Sequence, residues 1–165
     1  MYVSSKKVAS FDELYGKYAR DVFQFVLYLS GNKARAEDIT SEVFLRVWTS
    51  DAEIRAVTVK AYLFTIARNL YLEQWRRERR NTELPEHIST SGTQFNDAAN
   101  REHLARVTEA MQELPELERA AVLLRAEEEL SYAIIGQLLD IPEATARMKV
   151  YRARVRLVEI LGRKK

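Results

Sequence analysis

Four aromatic side chains, Tyr62, Phe64, Tyr71 and Trp75, lie among six cations, Lys60, Arg68, Arg76, Arg77, Arg79 and Arg80, in the run KAYLFTIARNLYLEQWRRERR at residues 60–80, against two acids, Glu73 and Glu78. Cations that track phosphates beside rings that stack on bases are what single-stranded nucleic acid binding requires. The same run also suits a half-buried helix with aromatic core residues and with arginines at its C-terminal end, where they complement the macrodipole. A second cationic set lies near the C-terminus: Thr145, Lys149, Arg152 and Arg156 recur at helical spacing, with Arg147, Tyr151 and Arg154 beside them. A third set is acidic. Asp38, Ser41, Glu42 and Leu45, with Arg46 at their edge, combine carboxylates with an apolar spot, a surface suited to a basic protein partner. Helix-dipole compensation in a first turn accounts for Glu37 and Asp38 by itself, but not for Glu42 with Leu45.

Other chemistries lack their residues. The only histidines, His87 and His103, have no metal-ligand partner at useful spacing. There is no Gly-rich phosphate loop and no nucleophile motif. The absence of cysteine removes disulfides and thiolate metal sites and is compatible with a reducing cytoplasm, the expected location. The expectation is therefore a protein that is not an enzyme and uses no metal and no cofactor. No apolar run approaches the roughly 18–20 residues that span a bilayer, and the MYVSSKKVAS start has no apolar segment of a signal peptide, so no membrane insertion is expected.

The elements that must position these sets are helical. Five glycines and three prolines in 165 residues are too few breakers for a many-stranded fold, so an all-α chain is expected. From Ser10, with Glu13 completing a capping box, Phe11, Leu14, Tyr18, Val22, Phe25, Val26 and Leu29 form an apolar stripe that Gly31 and Asn32 end. Residues 36–49 form a second helix that buries Ile39, Val43, Phe44, Val47 and Trp48 and turns the acidic set outward. Residues 50–59 read as a loop. Within residues 60–80, Leu63, Ile66, Ala67 and Leu70 are the predicted core face, which leaves Tyr62, Arg68 and Asn69 outside.

Residues 81–100 are polar, contain Pro85 and Gly92 and lack helical periodicity, which marks a flexible linker. Two small helical domains follow, at residues 1–80 and 101–165. Charge separates along the same lines. Residues 1–82 hold 14 basic and 10 acidic side chains, a net of +4; residues 83–140 hold 4 and 12, a net of −8; residues 141–165 hold 8 and 2, a net of +6. In the second half, Leu104, Val107, Ala110, Met111 and Leu114 share a face before Pro115. Residues 116–128 then bury Leu117, Ala120, Ala121 and Leu124 and turn Arg119 and Arg125 outward. Ser131 caps a short helix, the turn runs through Asp140, Ile141 and Pro142, and a last helix starts at Glu143. Gly136 at the crossing and Ile135, Leu139, Ile141, Ala146 and Val150 as a wedge make this a helix-turn-helix. A cationic face on its second helix is the geometry for a DNA major groove, with a plain helical hairpin as the alternative.

Taken together, AEDITSEVFLRVW, KAYLFTIARNLYLEQWRRERR and LPELERAAVLLRAEEELSYAIIGQLLDIPEATARMKVYRAR resemble a bacterial RNA polymerase sigma factor of the sigma-70 family. The resemblance is to the short extracytoplasmic-function group, which keeps regions 2 and 4, and covers roughly residues 10–80 and 100–161. It implies a region 2 helical bundle and a region 4 helix-turn-helix, with core RNA polymerase (β′ clamp and β flap) and promoter DNA as partners. By the same resemblance Asp38, Ser41, Glu42, Leu45 and Arg46 dock on polymerase. Lys60, Tyr62, Arg68, Asn69, Arg76 and Arg77 serve the opened, single-stranded minus-ten element, where a base is extruded at a cost of a few kcal/mol. Thr145, Arg147, Lys149, Tyr151 and Arg152 serve the minus-thirty-five duplex. Members of this group are often held inactive by an anti-sigma factor, which the linker permits as a further partner.

Several positions depart from the family pattern. Ser41 stands where Gln is frequent, Glu73 replaces a common Asp, and Asp140 occupies a turn position usually held by Gly. Ile134 removes the carboxylate that would complete a capping box with Ser131. Ala144, Ala146 and Met148 alter the usual GTVKS, and Met148 removes a hydroxyl from a DNA-facing position. A duplex-binding regulator that works without polymerase and a helical adaptor for another protein are the rival readings. A simple repressor has no need of an acidic docking helix followed by an aromatic, basic one.

Overall fold

The computed structural model describes residues 5–50, 59–81, 98–128 and 130–163. Among these there are seven helices and no strand. They are α1 (Ser5–Ser30), α2 (Lys33–Thr49), α3 (Val59–Asn81), α4 (Ala98–Gln112), α5 (Glu116–Glu128), α6 (Tyr132–Leu139) and α7 (Glu143–Arg163). The chain divides into two compact units, Met1–Val26 with Ala34–Thr82, and Leu27–Lys33 with Glu83–Lys165.

In the first unit the stripe of α1 buries Val22, Phe25 and Val26 against Ala36, Ile39, Val43 and Phe44 of α2 and against Ala61, Leu63, Phe64, Ala67, Leu70 and Tyr71 of α3. Each large side chain so buried contributes roughly 1.5–3 kcal/mol relative to exposure. Phe25 and Phe64 stack with centroids 4.3 Å apart and planes 6° from parallel. Polar ties fix the helix ends: Lys60 Nζ lies 3.3 Å from Asp21 Oδ2, and Arg35 pairs with Glu78. Thr40, buried in mid-helix, donates its hydroxyl to the Ala36 carbonyl at 2.6 Å, so no polar group is orphaned there.

Two expectations are corrected in this unit. α1 starts at Ser5, so Ser10 lies within the helix and not at its start. Nothing in the sequence before Ser10 breaks a helix, and each residue added to a formed helix gains a bond without a new nucleation cost. Among the aromatics that the sequence leaves open between core and surface, Phe64 and Tyr71 are buried, while Ile66, expected in the core, is only half-buried. The core-facing side of α3 is therefore wider than the 63, 66, 67, 70 stripe and reaches round to 64 and 71. The loop expected at residues 50–59 lies outside the described residues except at its ends. So do residues 82–97 of the expected linker, whose margins belong to α3 and α4.

The second unit corrects one more reading. Arg119, expected to point outward, is buried. Its Nε donates to the Met111 carbonyl at 2.9 Å and its Nη2 to the Leu114 carbonyl at 2.8 Å. The Met111 carbonyl lies in the last turn of α4, where the dipole favours a cation, and also accepts from the Leu114 N–H at 3.1 Å. Leu114 lies just beyond α4, and Arg119 Nη1 donates to the Leu29 carbonyl. Arg125 is half-buried and donates from Nη1 to the Leu130 carbonyl at 2.5 Å.

The helix-turn-helix takes the expected form. Ser131 caps α6 by accepting from the Ile134 N–H at 3.3 Å, even without the reciprocal carboxylate. A Cβ on Gly136 would sit 2.6 Å from the Ile141 carbonyl oxygen, a backbone atom that cannot swing aside. Asp140 adopts φ 57° and ψ 48°, a left-handed conformation that Asp tolerates better than most residues. The Ile141 N–H then bonds to the Gly136 carbonyl at 2.9 Å. Ile135, Leu139, Ala146 and Val150 are buried between the helices, and Ile141 is half-buried.

Candidate protein and nucleic-acid interfaces

The outer face of α2 follows from its buried one. With Ile39, Val43 and Phe44 turned inward, Asp38, Ser41 and Arg46 are exposed and Glu42 is half-buried. Leu45 is 55% exposed, an apolar spot beside carboxylates. Arg46 Nε lies 3.3 Å from Glu42 Oε1, an exposed i, i+4 pair of roughly 0.3–0.5 kcal/mol that leaves Asp38 the freer acidic group.

On α3, residues seven apart share a row, and Tyr62, Asn69 and Arg76 are such a set. Asn69 and Arg76 are exposed; Tyr62 and Arg68 are half-buried. Arg77 is exposed and pairs with Glu73 at 2.5 Å. Lys60 departs from the group: its side chain is 16% exposed and is held by Asp21. Trp75, absent from the candidate set, is exposed with the Arg79 guanidinium 4.4 Å from its ring centroid. Its signal in the sequence was there, an aromatic one turn before an arginine. Tyr62, Asn69 and Arg76 thus share the row of α3 opposite the core, while Arg68 is half-buried at its flank.

On α7, Arg147, Tyr151 and Arg152 are exposed, Tyr151 at 64%, whereas Thr145 and Lys149 are half-buried. Arg147 lies 3.8 Å from Glu143 and 4.8 Å from the ring centroid of Tyr132 on α6. The opposite partner of that ring is Arg125, at 4.5 Å. Tyr132, which sequence reasoning did not select, thus links two guanidinium groups and orients Arg147 from outside its own helix. Arg156 lies 3.5 Å from the buried Glu118. What this assembly can do is bind: it offers charges, rings and apolar spots. Among the described residues no group of three His, Cys, Asp or Glu could hold a metal ion, and no helix is long and apolar enough to cross a membrane.

The family model for sigma-70 region 2 matches residues 14–81, and that for sigma-70 region 4 matches residues 104–157. SigM of Bacillus subtilis, an ECF RNA polymerase sigma factor, is 30% identical over 157 residues, covering 92% of this chain and 95% of that relative. SigE of Mycolicibacterium smegmatis, another ECF RNA polymerase sigma factor, is 34% identical over 160 residues, and the match spans 93% of this chain and 62% of SigE. Two solved structures share the fold. The sigma factor RpoE of Bartonella quintana, in complex with the anti-sigma factor NepR, gives a TM-score of 0.76 at 24% identity, covering 93% of this chain and 97% of RpoE. CnrH, in complex with the cytosolic domain of CnrY, gives 0.71 at 19% identity, covering 95% and 90%.

Proposed function

Since the chain belongs to the extracytoplasmic-function group of sigma-70 factors and so directs transcription initiation without being an enzyme, we propose a division of labour between its two units. The first unit docks on core RNA polymerase through Asp38, Ser41, Glu42, Leu45 and Arg46 of α2, at the β′ clamp. Its α3 holds the opened strand of the minus-ten element through Tyr62, Arg68, Asn69, Arg76 and Arg77. Lys60 serves that face indirectly, anchoring the start of α3 to α1 through Asp21. The second unit meets the β flap and reads the minus-thirty-five duplex from α7, with Arg147, Tyr151 and Arg152 outward and Thr145 and Lys149 at the margin.

The observation that supports this reading most is the recognition-helix geometry: a glycine-dependent crossing, a buried wedge and an exposed Arg147–Tyr151–Arg152 face on the second helix. Single-strand capture follows a different logic. Lifting a base out of the stack costs a few kcal/mol, and cationic and aromatic contacts on α3 offset it. Membership of the group supports an anti-sigma factor as a further partner class. The test is run-off transcription by core RNA polymerase on genomic fragments, with and without this protein. New start sites and co-purification with core enzyme are expected. Absence of both overturns the proposal.

A further inference from the structure

The centre of the exposed side of α7 is not cationic. Ala144, Met148 and Tyr151 follow one another at i, i+4, i+7, and all three are exposed, Met148 at 47%. Arg147 and Arg152 are exposed on either side of this row. The row occupies the first turns of the second helix of the helix-turn-helix, the part that meets base edges in such folds. From Glu143 to Tyr151 the helix advances about 12 Å, comparable to the width of the major groove. Val155 and Val158, also exposed, lie further along, beyond that reach.

Most of what the major groove presents is polar: acceptors on guanine, donors on cytosine, both on adenine. The exception is the 5-methyl group of thymine. Ala144 offers no donor or acceptor, and the thioether of Met148 is at best a weak acceptor on a flexible, polarisable arm. Set against polar base edges, these side chains would leave them stripped of water and unpaired, which is unfavourable. Set against methyl groups, they bury apolar surface on both partners. The flanking arginines supply the phosphate contacts that hold the row in register.

We infer that Met148, with Ala144 beside it, is a specificity-determining residue that reads the thymine 5-methyl group in the upstream promoter duplex. The inference rests on the proposal that α7 enters that duplex, and the experiment separates the two. Full-length protein on core RNA polymerase is used to select transcribing templates from a library randomised over the upstream element. In a selected template each thymine of that element, on both strands, is replaced singly by deoxyuridine, which lacks only the methyl group. Binding of the holoenzyme to each template is then measured.

At least one replacement should weaken binding of the wild-type holoenzyme about fourfold, the worth of one buried methyl group. The Met148→Ser holoenzyme should bind the two templates alike. A selected element at which every deoxyuridine is neutral, or at which Met148→Ser keeps the full discrimination, overturns the methyl reading and leaves the row as a protein-docking face. A selection that returns no preferred upstream sequence overturns the groove placement itself. Circular dichroism of Met148→Ser verifies that the exposed position tolerates the change.

Discussion

Arg156 Nε lies 3.5 Å from Oε2 of Glu118, and that carboxylate belongs to a residue only 2% exposed, joining α7 to α5. No hydrogen bond reaches Glu118 Oε2, so its charge is offset by the guanidinium and by the N-terminal end of α5, in whose first turn it lies. Breaking a buried pair from one side costs more than removing both members, because it strands the other charge. With Arg156 itself half in solvent, Arg156→Ala should destabilise the second unit by about 1–2 kcal/mol, after discounting for screening. Arg154→Ala, two residues away on a different face and exposed, should stay within about 0.5 kcal/mol. Urea denaturation followed by circular dichroism compares the two, and Glu118→Leu with Arg156→Met together should recover most of the loss.

Gly136→Ala places a methyl group where the Ile141 carbonyl already stands, 2.6 Å away. The turn must open to admit it, at roughly 1–3 kcal/mol. The expected result is a lower unfolding midpoint together with reduced initiation on templates that depend on the upstream duplex. A midpoint unchanged from wild type would show that the crossing is looser than the geometry states.

Arg119→Met removes the side-chain donors to the Met111, Leu114 and Leu29 carbonyls at and beyond the end of α4. Hydrogen bonds from charged groups contribute about 1.5–3 kcal/mol each, so a loss of about 2–4 kcal/mol is expected in a denaturation experiment. Arg119→Lys should recover only part of it, since an ammonium lacks the planar fork that serves three carbonyls at once.

The two units should fail separately. Asp38→Ala with Glu42→Ala should lower affinity for core polymerase in a pull-down titration while leaving duplex retention by the free protein unchanged. Arg147→Ala with Arg152→Ala should do the reverse and flatten the salt dependence of duplex binding by about one to two units of slope. Equal losses in both assays from each pair would contradict separable surfaces.

Tyr132 should matter through its ring. Tyr132→Leu removes the surface on which Arg147 rests and should weaken binding to an initiating template about threefold, in line with the roughly 0.5–1 kcal/mol of a partly exposed cation–ring contact. Tyr132→Phe should bind normally. In an Arg147→Ala background both changes should be silent; an undiminished effect of Tyr132→Leu there would assign it a packing role instead.

Much of this was legible in the sequence. The bounds of α5, the cap at Ser131, the tight crossing at Gly136 and the outward face of α2 all follow from local rules of spacing, capping and size. What was missed shares a cause. Phe64 and Tyr71 stand among charges in the sequence and their burial is not legible there, because a helix pattern shows where a core face is centred but not how wide its neighbours make it. Arg119 was turned outward because the acceptors that bury it belong to a different helix. The weight of Tyr132 depends on Arg125 and Arg147 meeting across three elements. Contacts of that sort are set by tertiary packing, to which periodicity is blind.

The grip of Arg119 on the end of α4 has a dynamic consequence. The last turn of a helix ordinarily frays first, exchanging its amide protons freely with solvent. Here the Met111 carbonyl of that turn and the Leu114 carbonyl just beyond it are held by a buried side chain anchored in α5, so that turn cannot loosen unless α5 also moves. Amides of residues 108–112 should therefore exchange at rates set by the opening of α4 and α5 together. Such a shared protection pattern would make the corner at Pro115 a cooperative folding unit rather than a hinge.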